Sequence, residues 1–457
     1  MAYTTINKHT EHFNTKLYTG NGTAIGSGGN AITGVGFQPN FTWIKSRSGS
    51  SRNNYLYDAV RGVEKRLMSN QTNAEATLDE SLEVFGTDGF TVGDHAHHNY
   101  PSETYASWNW KAGGTAPTIT YVVKVVSDSG NKYRFDDFGT SAVTLDLQEG
   151  GVYTFDQSDS SNSGHPLRFS TTSNGTHGGG SEYTTGVVVT GTPGNAGAKT
   201  VITVAASAPT LYYYCTNHSG MGGQANTNST FGSSNFKGAV QSLVSANTDA
   251  GFSIVKVSNL NSNTFGHGLN GTPSMVWSKR TDDVANWRVY YTGITSGNSL
   301  FLNSDSASTS EGSRIGSTDS TTVTAVGSAT GGNAGTGTSI NYCFQSINGF
   351  SKFGTYTGNG NADGTFVYTG FKPAWVIIKR TTQESWIMTD SKRGYPQSWN
   401  YLLADTNGSE ASGLPYDFVS NGIKFRGTTQ NESGSTYIYM AFGQSLVGSN
   451  NVPATAR

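Results

Sequence analysis

Aromatic and β-branched residues alternate with polar ones in short runs along almost the whole chain, the period-two pattern of β-strands. Gly-Asn-Gly and Asp-Gly pairs separate the runs, as turns do. No window carries a sustained amphipathic helical pattern with its caps; Val60–Leu67 comes nearest and is short. The runs also recur. Phe13-Asn-Thr-Lys-Leu-Tyr-Thr-Gly-Asn-Gly22 leads to Gly36-Phe-Gln-Pro-Asn-Phe-Thr-Trp-Ile-Lys45, and the phrase returns as Phe353-Gly-Thr-Tyr-Thr-Gly-Asn-Gly360 and Gly370-Phe-Lys-Pro-Ala-Trp-Val-Ile-Ile-Lys379. A weaker copy runs from Phe252 through His267-Gly-Leu-Asn-Gly-Thr-Pro-Ser-Met-Val-Trp-Ser-Lys279.

The register supports one template. Pro39–Lys45, Pro273–Lys279 and Pro373–Lys379 are each six apart, and the last aromatic of each copy lies 65, 65 and 63 residues beyond its lysine. Agreement at that distance marks an internal repeat. About a hundred residues of this pattern need a covering layer, so each copy is expected to fold as a two-sheet β-sandwich. The resulting plan is an arm at 1–12, repeat 1 at 13–114, a linker at 226–250, repeat 2 at 251–349, repeat 3 at 350–447 and a tail at 448–457. A block at 118–225 does not follow the template. It has its own strands, among them Val152-Tyr-Thr-Phe155, Leu167-Arg-Phe-Ser170 and Leu211-Tyr-Tyr-Tyr214, and reads as a complete inserted domain. The fold class is therefore all-β.

Composition narrows the function. Only 13% of residues are charged, 59 are glycine, and 12% are aromatic, enough to build cores. A net charge of −2 gives no footprint for nucleic acid, and no apolar run reaches membrane-spanning length. The first residues lack the layout of a signal peptide. Cys215 and Cys343 lie far apart and imply no disulfide framework.

Specific chemistry concentrates in Leu211–Gly223. Cys215 is followed by His218 and then Met221, each three positions on. A thiolate, an imidazole and a thioether on one loop suit copper. Asp94-His-Ala-His-His98 offers a second cluster, more often simply polar than metal-binding. His177 reads as a loop residue and His267 as a strand-edge filler. No nucleophile elbow, HExxH, P-loop or dinucleotide fingerprint occurs. Asp58, Glu64, Asp390 and Asp405 are the carboxylates to inspect for glycoside cleavage, whose pairs are assembled only in space.

Two resemblances extend this reading. The loop Tyr214-Cys-Thr-Asn-His-Ser-Gly-Met221, with Gly150-Gly-Val-Tyr-Thr-Phe155 before it, resembles the cupredoxins. That likeness implies a Greek-key sandwich and a type 1-like copper site. Its ligands would be His165, Cys215 and His218 with Met221 axial, occupancy being left open. His165 is preceded by Ser163-Gly164 where the family has Pro. The template itself, with Asp58-Ala-Val-Arg-Gly62 and Asp390-Ser-Lys-Arg-Gly394, resembles concanavalin-A-like sandwich modules of bacteriophage tail-fibre and appendage proteins. That resemblance implies a virion structural protein, not an enzyme, made in the host cytoplasm without a signal peptide. Its expected partners are other virion proteins and a host-surface receptor, glycan or protein. It is expected as a homo-oligomer, a trimer favoured, with no nucleic acid and no membrane insertion. The alternatives are a blue copper electron-transfer protein with carbohydrate-binding modules, and a polysaccharide-degrading tailspike.

Overall fold

The computed structural model describes residues 4–49, 51–310, 312, 314–327, 336–393 and 399–445. The expected tail at 448–457, the first residues of the arm and Gly394 lie outside them. The fold is all-β. Among the described residues the one α-helix is Ala96–Asn99, and no helix is long and apolar enough to cross a membrane. Val60–Leu67 is a turn leading into the strand Lys65–Met68.

Each repeat is a sandwich of one large and one three-stranded sheet. In repeat 1 the large sheet runs Phe13–Thr19, Thr104–Trp110, Phe41–Ser46, Tyr55–Asp58, Lys65–Met68, Ala76–Thr77. Repeat 3 has the same order from Ser351–Thr357 and Thr436–Gly443 to Ala411–Leu414. Repeat 2 adds two strands, Ser233–Asn235 and Ser242–Asn247, to make eight. The stretch 226–250 is therefore not the linker that its Ser/Asn content predicts. Its strands pair onto Phe252–Ser258, and serines at 242 and 245 bury where larger residues would signal a strand. The small sheets reuse one turn. Gly89 and Gly422 each sit in a hairpin where a Cβ would stand 1.9 Å from the Ile32 carbonyl oxygen and 2.1 Å from that of Val367.

The central strands of the large sheets are buried on both faces. Phe41–Ser46 is buried at all six positions. Ile44, Tyr55, Tyr57 and Tyr105 point into the sandwich of repeat 1, while Phe41, Trp43, Leu56, Trp108 and Trp110 point the other way. The second face does not meet water. It joins Trp277, Trp287, Tyr342 and Phe344 of repeat 2 and Trp375, Trp386, Met440 and Phe442 of repeat 3 in one shared core. Double burial explains why these strands read as nearly continuous hydrophobic runs.

The three repeats close on one another in a cycle. Strand pairing makes Asn54, Trp287 and Trp386 equivalent positions, and likewise Met68, Phe301 and Leu403. The Trp287 indole donates to the Met68 carbonyl (2.8 Å), Trp386 to Phe301 (2.7 Å), and the Asn54 amide to Leu403 (3.0 Å). Repeat 2 thus bonds to 1, 3 to 2, and 1 to 3. A second ring uses backbone alone: Glu75 N–H to Thr281 O, Ser308 N–H to Thr381 O, and Glu410 N–H to Arg47 O, all 2.8 Å. The body is a pseudo-threefold ring built from one chain.

The repeated Asp-x-x-Arg lies at these seams. Asp58 and Asp390 are buried and pair with Arg61 and Arg393, which are also buried. Each aspartate also accepts a bond from another repeat, Asp58 from the Tyr342 hydroxyl (2.7 Å) and Asp390 from the Trp108 indole (3.0 Å). Repeat 2 has Tyr291 and Ile294 at these places, so its seam with Met440 of repeat 3 is apolar. The template lysines serve the same architecture. Lys45, Lys279 and Lys379 are buried and donate to loop carbonyls, Lys379 to Asp305 of repeat 2 (3.2 Å) as well as to Thr382 (2.8 Å).

The arm plugs one end of the shared core. Ile6 enters that core and His9 is fully buried against Phe350 and Phe371. Burial lowers the His9 pKa from 6.5 to about 4. A base with a depressed folded pKa gives its full stabilisation above pH 6.5 and loses it as the pH falls towards 4. The loss amounts to about 3 kcal/mol. Amide hydrogen exchange across Ile6–His12 is expected to accelerate over that range, and His9→Phe is expected to flatten the response.

Candidate metal centre

The inserted block forms its own sandwich. One sheet is ordered Asn131–Phe135, Thr118–Ser127, Val152–Asp156, Lys199–Thr203, Val187–Thr190. The other is Leu145–Gln148, Gly223–Asn228, Leu211–Cys215, Leu167–Ser170, Glu182–Tyr183. Two pairs are parallel, Thr118–Ser127 with Val152–Asp156 and Leu145–Gln148 with Gly223–Asn228. Tyr121, Phe135, Phe155, Phe169 and Tyr213 fill the space between the sheets.

Pairing across the second sheet assembles the site. Leu167 lies opposite Cys215 in antiparallel register, so the residue two places before one strand meets the end of the other. His165 and Cys215, 50 positions apart, come within reach. Cys215 Sγ lies 3.9 Å from His165 Nδ1 and 3.7 Å from His218 Nδ1, and the imidazole centroids are 4.6 Å apart. The three donor atoms fall within 4.8 Å of one another. Cys215 is fully buried and His218 exposed. Met221 is buried in the same core as Cys215. Burial and the neighbouring His218 lower the pKa of His165, favouring the neutral ring that a metal needs.

The donor spacing fits a metal. Bonds of about 2.0 Å to nitrogen and 2.3 Å to sulfur at near-trigonal angles put those atoms about 3.8 Å apart. The absence of Pro before His165 does not displace it. Its backbone is held instead: the Tyr133 hydroxyl (2.8 Å) and the Gln157 amide (2.9 Å) both donate to its carbonyl. His177 approaches from a 3-10 helix, with Nε2 3.0 Å from the Cys215 carbonyl oxygen. Asn174 Oδ1 accepts the Gly220 N–H at 2.8 Å and so fixes the ligand loop. Spacing could not have revealed these supports, because each arrives from a separate strand or loop.

The other candidates fare differently. His95, His97 and His98 do not form a metal-capable group with Asp94; among the described residues the group at His165, Cys215 and His218 is the one found. His267 is buried and its Nδ1 accepts the Leu269 N–H at 3.1 Å. Asp58 and Asp390 are spent in the seams. Asp405 accepts the Trp386 N–H at 3.0 Å, and burial raises its pKa. Glu64 faces Glu83, whose carboxyl is pushed up to about 7 by burial and by Glu64 and Glu80.

No curated protein and no solved structure matches the chain. One family model does, over residues 8–139 and 224–445. The match takes in all three repeats and skips 140–223, the stretch that holds His165, Cys215, His218 and Met221. With most of its length covered, the chain belongs to the family described as Domain of unknown function (DUF7483).

Proposed function

We propose that the chain is a structural protein of a bacteriophage particle, a tail fibre or similar appendage that attaches to a host-surface glycan or protein or joins other virion proteins. The observation that carries this reading is the closed ring of three sandwiches. It spends the broad face of every repeat on a common core and yields a rigid body of low charge. The same closure constrains assembly. If the chain forms a homo-oligomer, a trimer favoured, the contacts must come from outer faces, because the ring contacts are satisfied within one chain. Mass spectrometry and imaging of purified particles test the proposal. Several copies at exposed positions are expected; a product absent from particles removes the reading.

The inserted module supports a second reading, a cupredoxin-like domain with a type 1-like copper site. His165 and His218 would bind through Nδ1 and Cys215 as thiolate, with Met221 as a weak further donor. When bound, copper would supply one-electron chemistry. The chain itself buries the thiol, lowers the His165 pKa and fixes both loops by side-chain hydrogen bonds to their backbone. A blue copper electron carrier is the alternative function, and the donor geometry favours it. The polysaccharide-degrading alternative is weakened by the ion pairs that occupy Asp58 and Asp390.

A further inference from the structure

Repeat 1 carries a cluster that the other repeats lack, around His95, His97 and His98. The His95 ring lies 4.8 Å from His97 and 5.8 Å from His98, and Tyr55 stacks on His97 at 5.2 Å. Two arginines face this group. Arg52 Nη1 is 3.4 Å from His97 Nδ1, and Arg66, on the strand paired with that of Tyr55, reaches the Tyr55 hydroxyl of the ring stacked on His97. Two carboxylates face it too. Glu103 is taken up by Arg52 at 3.0 Å, and Asp94 is exposed beside His95.

Hydrogen bonds set the tautomers. His95 Nδ1 accepts the His97 N–H at 3.2 Å, which leaves its proton on Nε2. His97 Nδ1 faces a guanidinium that can only donate, so its proton is also on Nε2. The buried Nε of Arg66 has no hydrogen-bond partner, nor has Nδ1 of the fully buried His98.

The other repeats show that the fold does not need this set. Counting from Asn54, Trp386 and Trp287, Arg52 corresponds to Glu384 and Ala285. Counting from Met68, Leu403 and Phe301, Arg66 corresponds to Tyr401 and Ser299. Asn99 and Asn431 make the same bonds to Asn21 and Asn359, so His97 and His98 correspond to Thr429 and Gln430. Repeat 3 forms its seams and sheets with an acid, a phenol, a hydroxyl and an amide there.

We propose that this cluster is an oxyanion site, in which the Arg66 guanidinium and the Nε2–H groups of His95 and His97 bind a phosphate or sulfate group, free or carried on a polysaccharide. Guanidinium and imidazole donors give short, charge-assisted bonds to such oxygens. Burial, His95 and the two arginines hold the His97 pKa down to about 4, so this ring is neutral before the anion arrives. A bound anion favours the protonated form of the rings, and binding tightens with acid. The site depends neither on the copper module nor on the particle.

Calorimetric titration of the full chain with inorganic phosphate, at about pH 7 and about pH 5.5, tests the proposal. Retention on dextran sulfate against neutral dextran distinguishes the polymer from the free ion. Binding is expected to strengthen at the lower pH and to fall about tenfold or more in Arg66→Gln. The pair His97→Thr and His98→Gln installs the repeat 3 residues; it is expected to melt like the parent and to lose binding. Binding to dextran sulfate alone assigns the polymer-borne group, and binding to both assigns the ion itself. No binding to either probe overturns the site, as does unchanged affinity in the folded double variant.

Discussion

Asp390→Ala is expected to lower the unfolding free energy by about 3 kcal/mol, the low end of the cost of breaking a buried pair, because Arg393 keeps a second partner in Glu410 at 3.0 Å. Arg393 is 1% exposed, and its Nε donates to Asp390 Oδ2 at 2.6 Å. The substitution also strips the Trp108 indole of its acceptor across the seam. The two losses share one site, so they do not simply add. The chain supplies its own control. Repeat 2 folds with Tyr291 and Ile294 at these positions, both packed into the shared core. Asp390→Tyr combined with Arg393→Ile is therefore expected to cost less than Asp390→Ala alone, because apolar replacement of a whole buried pair is often close to neutral. Denaturant titrations of the two variants compare them directly. If the double variant is the less stable, the seam needs the ion pair for more than charge balance.

Cu(II) added to the pure, reduced chain is expected to give an intense visible thiolate-to-copper band that Cys215→Ser abolishes. The same loading is expected to raise the melting temperature, since a ligand that binds only the folded state stabilises it. Cys343 is the internal control. It is buried in the sandwich of repeat 2, and burial pushes its thiol up to about 12. Cys343→Ser should leave the band intact. His165→Ala and His218→Ala are expected to weaken or reshape it, and Met221→Leu to shift it with copper retained, as befits a weak further donor. Zinc suits the same His2Cys donors but is colourless. Stabilisation by zinc with no colour from copper would assign a structural metal site instead.

Much of this was legible in the sequence because hydrophobic period and turn chemistry are local. The Pro-to-Lys register located three equivalent strands, and Cys215, His218 and Met221 announced one loop. His165 needed family likeness, since its approach to Cys215 depends on one antiparallel pairing. The closed ring was not legible. Phe41, Trp43 and Ile44 read alike as strand residues, and nothing in their order says that two faces are covered rather than one. The Asp-x-x-Arg phrase was visible, but its role lies in partners nearly 300 residues away, Tyr342 for Asp58 and Trp108 for Asp390. Strands at Ser233–Asn235 and Ser242–Asn247 hid in a polar run because serine and asparagine read as loop.

Closure in a ring makes the body dependent on its last-made third. While the ribosome is still short of Phe442, repeats 1 and 2 carry tryptophan-rich faces with no cover, and the seams from 1 to 3 and from 3 to 2 stand open. The module around Cys215, with a core of its own, can fold long before. A chain cut before repeat 3 would present two complementary, unclosed surfaces. Head-to-tail surfaces of that kind recruit further copies instead of stopping at one. Truncated products are therefore expected to chain together into polymers, so full-length synthesis is itself a condition for solubility.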